Sequence, residues 1–276
     1  MPLANNLNAE TRGFWYELRK QGVITELNIK TRRPLRDIAD VEEHVASRAT
    51  AVIAASKHIR QELLTAGIQR EKIYIIHNAI EDYWFESPPQ QFMPEPSLIF
   101  LGRLGSDVFT LKLKGLDRLI HLYRHFPRTR KLIFCITKKK RLISWLKSEI
   151  SNLKVFQNVR KDKLPGLLRP FCGGVLFIPS RYEGFSLSLV EGMSQGLVPV
   201  VYPVGIAPEI IRNGKNGFLV SSQTEAIKKV QQLFANTHLR KRLSIEAFRT
   251  SQQFTSQLIT KRLIEIYKSI MRSKNR

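Results

Sequence analysis

From about residue 97 the chain alternates short apolar runs with amphipathic stretches at helical spacing. The runs predict strands at Ser97 to Gly102, Lys131 to Thr137, Leu153 to Asn158, Gly174 to Pro179, Leu197 to Tyr202 and Gly217 to Val220. Between them, Leu116, Leu119, Ile120, Tyr123 and Phe126 recur so as to share one helical face. Further helices are predicted over Lys139 to Ser151, Lys161 to Arg169 and Leu187 to Gln195. Later stripes comprise Ala226, Ile227, Val230, Leu233 and Phe234, then Leu263, Ile266, Tyr267 and Ile270. Strands apolar on both faces and joined by helices imply a parallel sheet with right-handed crossovers. The fold class is therefore α/β, a doubly wound parallel sheet, which binds ligands at the carboxyl ends of its strands.

The first 90 residues follow another pattern. Ala51 to Ser56 reads as a strand, Lys57 to Ala66 as a helix and Lys72 to Asn78 as another apolar run, preceded only by helix-like pieces at Phe14 to Lys20 and Leu35 to Arg48. So little sheet cannot cover its own apolar faces. Residues 1–55 read as the end of a domain, and Ser87 to Pro96, with four prolines, as a boundary. The expected division is 1–90 as a lobe remnant with its connection, 91–255 as the doubly wound lobe, and 256–276 as a C-terminal helix with a basic tail.

Composition narrows the function classes. Of 276 residues, 43% are hydrophobic and 25% charged, as in a globular chain. No apolar run approaches the roughly 20 residues of a membrane-spanning helix. The start, MPLANNLNAE, lacks the basic and apolar regions of a secretory signal, which suggests a cytosolic protein or one peripheral to the inner face of a membrane. Cys135 and Cys172 lie in apolar runs and read as buried free thiols. Lysine and arginine exceed acidic residues 45 to 23, giving +22, and Arg128 to Lys147 holds eight basic residues and no acid. No helix-turn-helix, zinc-finger, RNP or KH signature accompanies this charge, so an anionic membrane surface ranks ahead of nucleic acid.

The chemistry-bearing stretch is PSRYEGFSLSLVEGMSQGLVPVV, Pro179 to Val201. A strand ends, a loop carries Glu183 and Gly184, and a helix starts near Ser186. The amides of Phe185, Ser186 and Leu187 at that start, with the helix dipole behind them, form a site for a phosphate. Gly184 would let the backbone approach it. Glu183 and Glu191, eight positions apart, suit sugar and ribose hydroxyls. His121 and His125 lack a third ligand and read as solvated.

E-G-F-S-L-S-L-V-E followed by G-M-S-Q-G-L-V-P-V-V resembles the E-x7-E signature of retaining glycosyltransferases of the GT-B fold, glycosyltransferase family 4. Ala55 to Phe85 is similar to that family's inter-lobe segment, Ser97 to Ile120 to the first strand, phosphate loop and helix of its donor lobe, and Gly205 to Val220 to its G-G-x-P-E stretch. Arg12 to Ile24 resembles a late piece of the first lobe. The resemblance implies a nucleoside-diphosphate sugar as donor and a glycan or lipid-linked acceptor, in polysaccharide or lipopolysaccharide synthesis, with no metal and no further cofactor. It implies that Glu191 holds the ribose, Glu183 the transferred sugar and Phe185 and Ser186 the diphosphate, which Arg103 and Lys114 neutralise. The acceptor would attack the face that the leaving group vacates. Two departures stand out. Lys114 follows Arg103 by eleven residues, across an insertion that makes Lys112 a competitor, and His77 replaces a customary Pro. Glu209 reads equally as a helix-start carboxylate or a ligand contact. Most of the first lobe is expected to be absent, which leaves a fragment, a split enzyme completed by a separate chain, or a binding module without turnover.

Overall fold

The computed structural model describes residues 12–25, 33–86, 89, 91–105 and 108–274. The N-terminal segment read for a secretory signal and the last two residues of the basic tail lie outside the described residues.

The N-terminal part holds helices α1 (Arg12–Lys20) and α2 (Arg33–Arg48), strand β1 (Val52–Ala54), helix α3 (Lys57–Thr65) and strand β2 (Ile73–Ile75). After it come β3 (Ser97–Arg103), α4 (Val108–Leu113), α5 (Leu116–His125), β4 (Arg130–Ile136), α6 (Lys140–Glu149), β5 (Leu153–Gln157) and α7 (Leu164–Leu168). The chain continues through β6 (Val175–Ile178), α8 (Leu187–Ser194), β7 (Val198–Val201), α9 (Ala207–Ile210) and β8 (Phe218–Leu219). It closes with α10 (Gln223–Ala235), α11 (Thr237–Ser251) and α12 (Ser256–Lys274).

All six expected strands form, in the order β5-β4-β3-β6-β7-β8, and every pairing is parallel. This is a doubly wound sheet whose order reverses between β3 and β6, and the crevice beyond the carboxyl ends of those two strands is its ligand position. Period-two alternation sorts the core. Leu98, Phe100, Ile133, Phe177 and Val200 face one layer with α5, α6 and α10, while Ile99, Leu101, Leu132, Phe134 and Leu176 face the other with α7 and α8.

Three expectations need adjustment. The helix expected over Lys161 to Arg169 shrinks to α7 between two 3₁₀ turns, because Pro165 is tolerated in a first turn whereas Pro170 ends the helix. The insertion after Leu104 is not all loop: α4 buries Val108 and Leu111 in the main core. The packing also does not follow the division at residue 90. Trp15, Leu18, Val23 and Ile24 lie in the same cluster as the α5–α6 layer, and Phe14 meets Trp145 edge-on. An amphipathic helix buries its stripe wherever a face is offered, and β1–β2 offers little. That two-stranded parallel sheet has only Ala54, Ile68 and Ile73 as its buried cluster, and leaves Val41, Val45 and Ile53 exposed.

The proline-rich boundary, of which residues 87, 88 and 90 lie outside the described set, is pinned near its end. Met93 N–H donates to Cys172 C=O at 2.9 Å, and buried Arg240 caps the Met93 carbonyl at 3.0 Å. The start of α12 is tied to the connection as well. Ile80 N–H donates to Phe254 C=O at 3.0 Å, and Ser256 Oγ donates to Asp82. Cys135 and Cys172 are both buried free thiols. No helix among the described residues is long and apolar enough to cross a membrane.

Candidate functional site

The expected residues gather at the carboxyl edge, on both sides of the sheet's reversal. The loop after β6 carries Glu183, whose Oε1 lies 2.6 Å from Lys114 Nζ and accepts from Ser180 Oγ at 2.7 Å. Lys114 therefore reaches the loop that bears the first acid. Lys112 does not: it is buried, its ammonium 5.6 Å from the Trp15 ring centroid. Desolvation lowers its pKa, with the nearby Arg181 charge adding to the effect. Arg103, at the end of β3, is exposed at the same edge, and the structure gives it no hydrogen bond or ion pair to Lys114 or Glu183.

Two loops meet here, and a buried ion pair locks them together. Asp117, in the first turn of α5, accepts from Arg181 Nη1 and Nη2 at 2.7 and 2.6 Å. Arg181 also donates through Nη1 to Lys112 C=O at 3.0 Å and through its amide to Leu113 C=O at 2.7 Å. Gly115 makes the approach sterically possible. Its φ is +68°, and a Cβ there would stand 2.2 Å from the Pro179 carbonyl oxygen. Arg118 donates to that same carbonyl at 3.1 Å and stacks on Tyr202 at 3.8 Å.

The start of α8 leaves its first amides open. Among the described residues, the amides of Phe185, Ser186 and Leu187 donate to no protein acceptor. Ser186 sits at φ +85°, ψ +70°, a left-handed conformation costing a non-glycine residue about 1–2 kcal/mol, and its buried hydroxyl has no protein partner. Strain of this kind persists where the surroundings over-determine it, as at ligand sites. Phe185 is a buried wedge beside His77 and Phe254. Its carbonyl accepts from Ile206 N–H at 2.8 Å, and Gly205 at φ +58° is held where a Cβ would meet that carbonyl at 2.5 Å. Gly184 has no positive φ; its carbonyl accepts from Ser56 Oγ at 2.6 Å. Leu187, half-buried, packs on the α8 layer.

Glu191, on α8 and 5% exposed, is met by Lys161 Nζ at 3.2 Å, and that lysine also binds Glu81 at 2.6 Å. Burial raises the Glu191 pKa, and Lys161 offsets part of the rise. Sequence reading did not find Lys161, Glu81 or the Asp117–Arg181 pair, because the partners lie far apart in sequence, Lys161 and Glu81 by 80 residues and Asp117 and Arg181 by 64, and no local pattern marks them. Glu209 is a tie between the two parts of the chain. It accepts from the Lys57 amide at 2.7 Å and meets His77 Nε2 at 3.4 Å. Tyr182 adds a bond to Glu62 at 2.7 Å.

The crevice at the sheet's reversal thus brings together a helix start with open amides and two acids, each facing a lysine. The family model of glycosyl transferases group 1 matches residues 85–250, more than half of the chain. The chain belongs to the group 1 glycosyltransferases. Within this family setting it is 27% identical over 241 residues to an uncharacterized 41.2 kDa protein in the cps region of Klebsiella pneumoniae, covering 83% of this chain and 64% of that one. It is 23% identical to an uncharacterized glycosyltransferase of Methanocaldococcus jannaschii, over 83% of this chain and 62% of the relative. The chain thus spans less than two thirds of the length of these relatives. Among solved structures, Anabaena HepE in complex with UDP-glucose superposes with a TM-score of 0.69 at 21% identity, over 83% of this chain and 67% of HepE. The parallel α/β architecture here is that of the GT-B glycosyltransferase structures it resembles.

Proposed function

We propose that the chain supplies the donor half of a retaining, family 4 glycosyltransferase, which moves a sugar from a nucleoside-diphosphate sugar to a glycan or lipid-linked acceptor in cell-surface polysaccharide or lipopolysaccharide synthesis. The observation that carries the reading is the pairing of Lys114 with Glu183 beside the open amides of Phe185, Ser186 and Leu187, at the reversal of the sheet. In this reading the amides hold the diphosphate, and Arg103 and Lys114 neutralise charge as the leaving group departs, without a metal. Glu183 orients the sugar. Glu191 accepts the ribose hydroxyls once Lys161 shares it. The acceptor attacks the face that the diphosphate leaves, and a phosphate oxygen takes its proton.

The relative from a cps region and HepE with UDP-glucose support polysaccharide chemistry and put a UDP-sugar at the head of the candidates. The basic surface fits work at an anionic inner membrane face. Acceptor binding belongs to the first lobe, so turnover is expected when a complete first lobe is present, on the same or a separate chain. Without it the protein binds donor only.

Calorimetry with UDP, GDP and ADP tests the donor half directly. One of the three should bind, and Glu191→Ala should weaken it by tenfold or more, about the 1.5–3 kcal/mol of a hydrogen bond to a charged group. With a first lobe supplied, Glu183→Ala should abolish transfer while nucleotide affinity holds. Absence of binding by all three nucleotides at about 1 mM would overturn the reading.

A further inference from the structure

The opposite edge of the sheet carries a second concentration of charge that the donor reading does not use. The segments entering β3, β4 and β5 border, with the end of α6, an open cavity of about 790 Å³. Arg128, Arg130, Lys147 and Lys154 line it, with Glu95 as the one carboxylate in the lining, so its formal charge is 4 − 1 = +3. The cavity lies at the amino ends of the strands. The seven residues of β4 at about 3.3 Å each separate it from the nucleotide edge by roughly 20 Å.

Two features make it more than a share of the general positive charge. First, none of its four cations forms an ion pair among the described residues, whereas Arg124, Arg160 and Arg249 at other surface positions each have a carboxylate. Like charges gathered without counter-charges raise the free energy of the empty site, which an anion relieves. Second, the acceptors around the cavity are already taken from inside. Lys131, 0% exposed, donates to the carbonyls of Thr129 and Ser151 at 2.9 Å and of Pro127 at 3.3 Å. Ser151 Oγ and Asn152 Nδ2 also bind the Pro127 carbonyl, and Asn152 reaches that of Arg128. These bonds hold the turn that carries Arg128 and leave the walls rich in donors. Only Lys154 has a further contact, lying 4.9 Å from the Phe156 ring centroid.

We propose that this cavity is a second anion site that takes clustered phosphate groups, distinct from the nucleotide site. Its volume exceeds the need of one phosphate, and its cations stand on three separate segments, so a multiply charged group fits it best. Such a group can come from a soluble oligophosphate ligand or from phospholipid headgroups at a membrane surface.

The test compares three proteins: wild type, the variant Arg128→Gln/Arg130→Gln/Lys147→Gln/Lys154→Gln, and a control with the same loss of charge at exposed positions elsewhere, Lys20→Gln/Lys228→Gln/Lys241→Gln/Lys261→Gln. Calorimetry with tripolyphosphate should show the cavity variant at least tenfold weaker for one site, with the control near wild type. Co-sedimentation with vesicles of one part phosphatidylglycerol to three parts phosphatidylcholine should follow the same order if headgroups are the source. Loss confined to tripolyphosphate names a soluble ligand, and loss confined to vesicles names the membrane. Equal effects in both variants, or no binding of either probe by the wild type, overturn the proposal. Nucleotide affinity, unchanged in the cavity variant, separates this outcome from failure of the donor reading.

Discussion

Replacing Asp117 by alanine asks whether one buried ion pair holds together the two loops of the candidate site. Asp117 receives both guanidinium nitrogens of Arg181, and the two side chains are 3% and 11% exposed. A buried pair nets little against an apolar substitute, but removing one partner strands the other charge at a cost of about 3–5 kcal/mol. Arg181 keeps its bond to the Lys112 carbonyl and is reached by some water, which puts the expected loss at the low end, about 3 kcal/mol. Urea unfolding should record this as a lower midpoint with an unchanged slope. Arg181→Met should also destabilise. The double variant should then recover part of the loss, with a coupling of about 1.5 kcal/mol or more. A coupling below about 0.5 kcal/mol would refute the argument, since sites that act independently add to within that margin. Nucleotide affinity should fall with Asp117→Ala as well, because Lys114 and Glu183 sit on the two segments that the pair joins.

Other outcomes follow from the same geometry. Gly115→Ala should destabilise by about 3 kcal/mol, the left-handed cost of 1–2 kcal/mol plus displacement of the Pro179 backbone, measured by the same unfolding assay. Lys161→Ala should move the acid limb of the nucleotide-binding pH profile upward, because burial and the Glu81 charge then raise the Glu191 pKa without the offset of Lys161; an unmoved limb contradicts that pairing. Lys131 has its pKa lowered by burial to about 8 from 10.5. The unfolded chain therefore binds its proton more tightly between those values, and this residue makes stability rise with pH there. The stability of wild type relative to Lys131→Met should accordingly rise from pH 8 to pH 10, and a difference that does not change would remove the argument.

The six strands were legible in the sequence because short, continuous apolar runs encode strands covered on both faces. So was the turn of chain from Glu183 to Glu191, whose parts lie within one loop and one short helix. The extent of α7 was misread because Pro170 outweighs the apolar spacing around Leu167 and Leu168. Spacing favoured Lys114 with Lys112 as competitor, and only coordinates place Lys114 beside Glu183 while α4 turns Lys112 inward over Trp15.

Sequence alone determined the six strands and most of the helices, since these depend on neighbours a few residues apart. Only the tertiary structure decided which charges meet. Lys161 faces Glu191, Arg181 faces Asp117, Glu209 ties α9 to α3, and four cations at the far edge of the sheet form no ion pair among the described residues. Those encounters join residues tens of positions apart, and their energies depend on burial and distance, which exist only once the chain has folded.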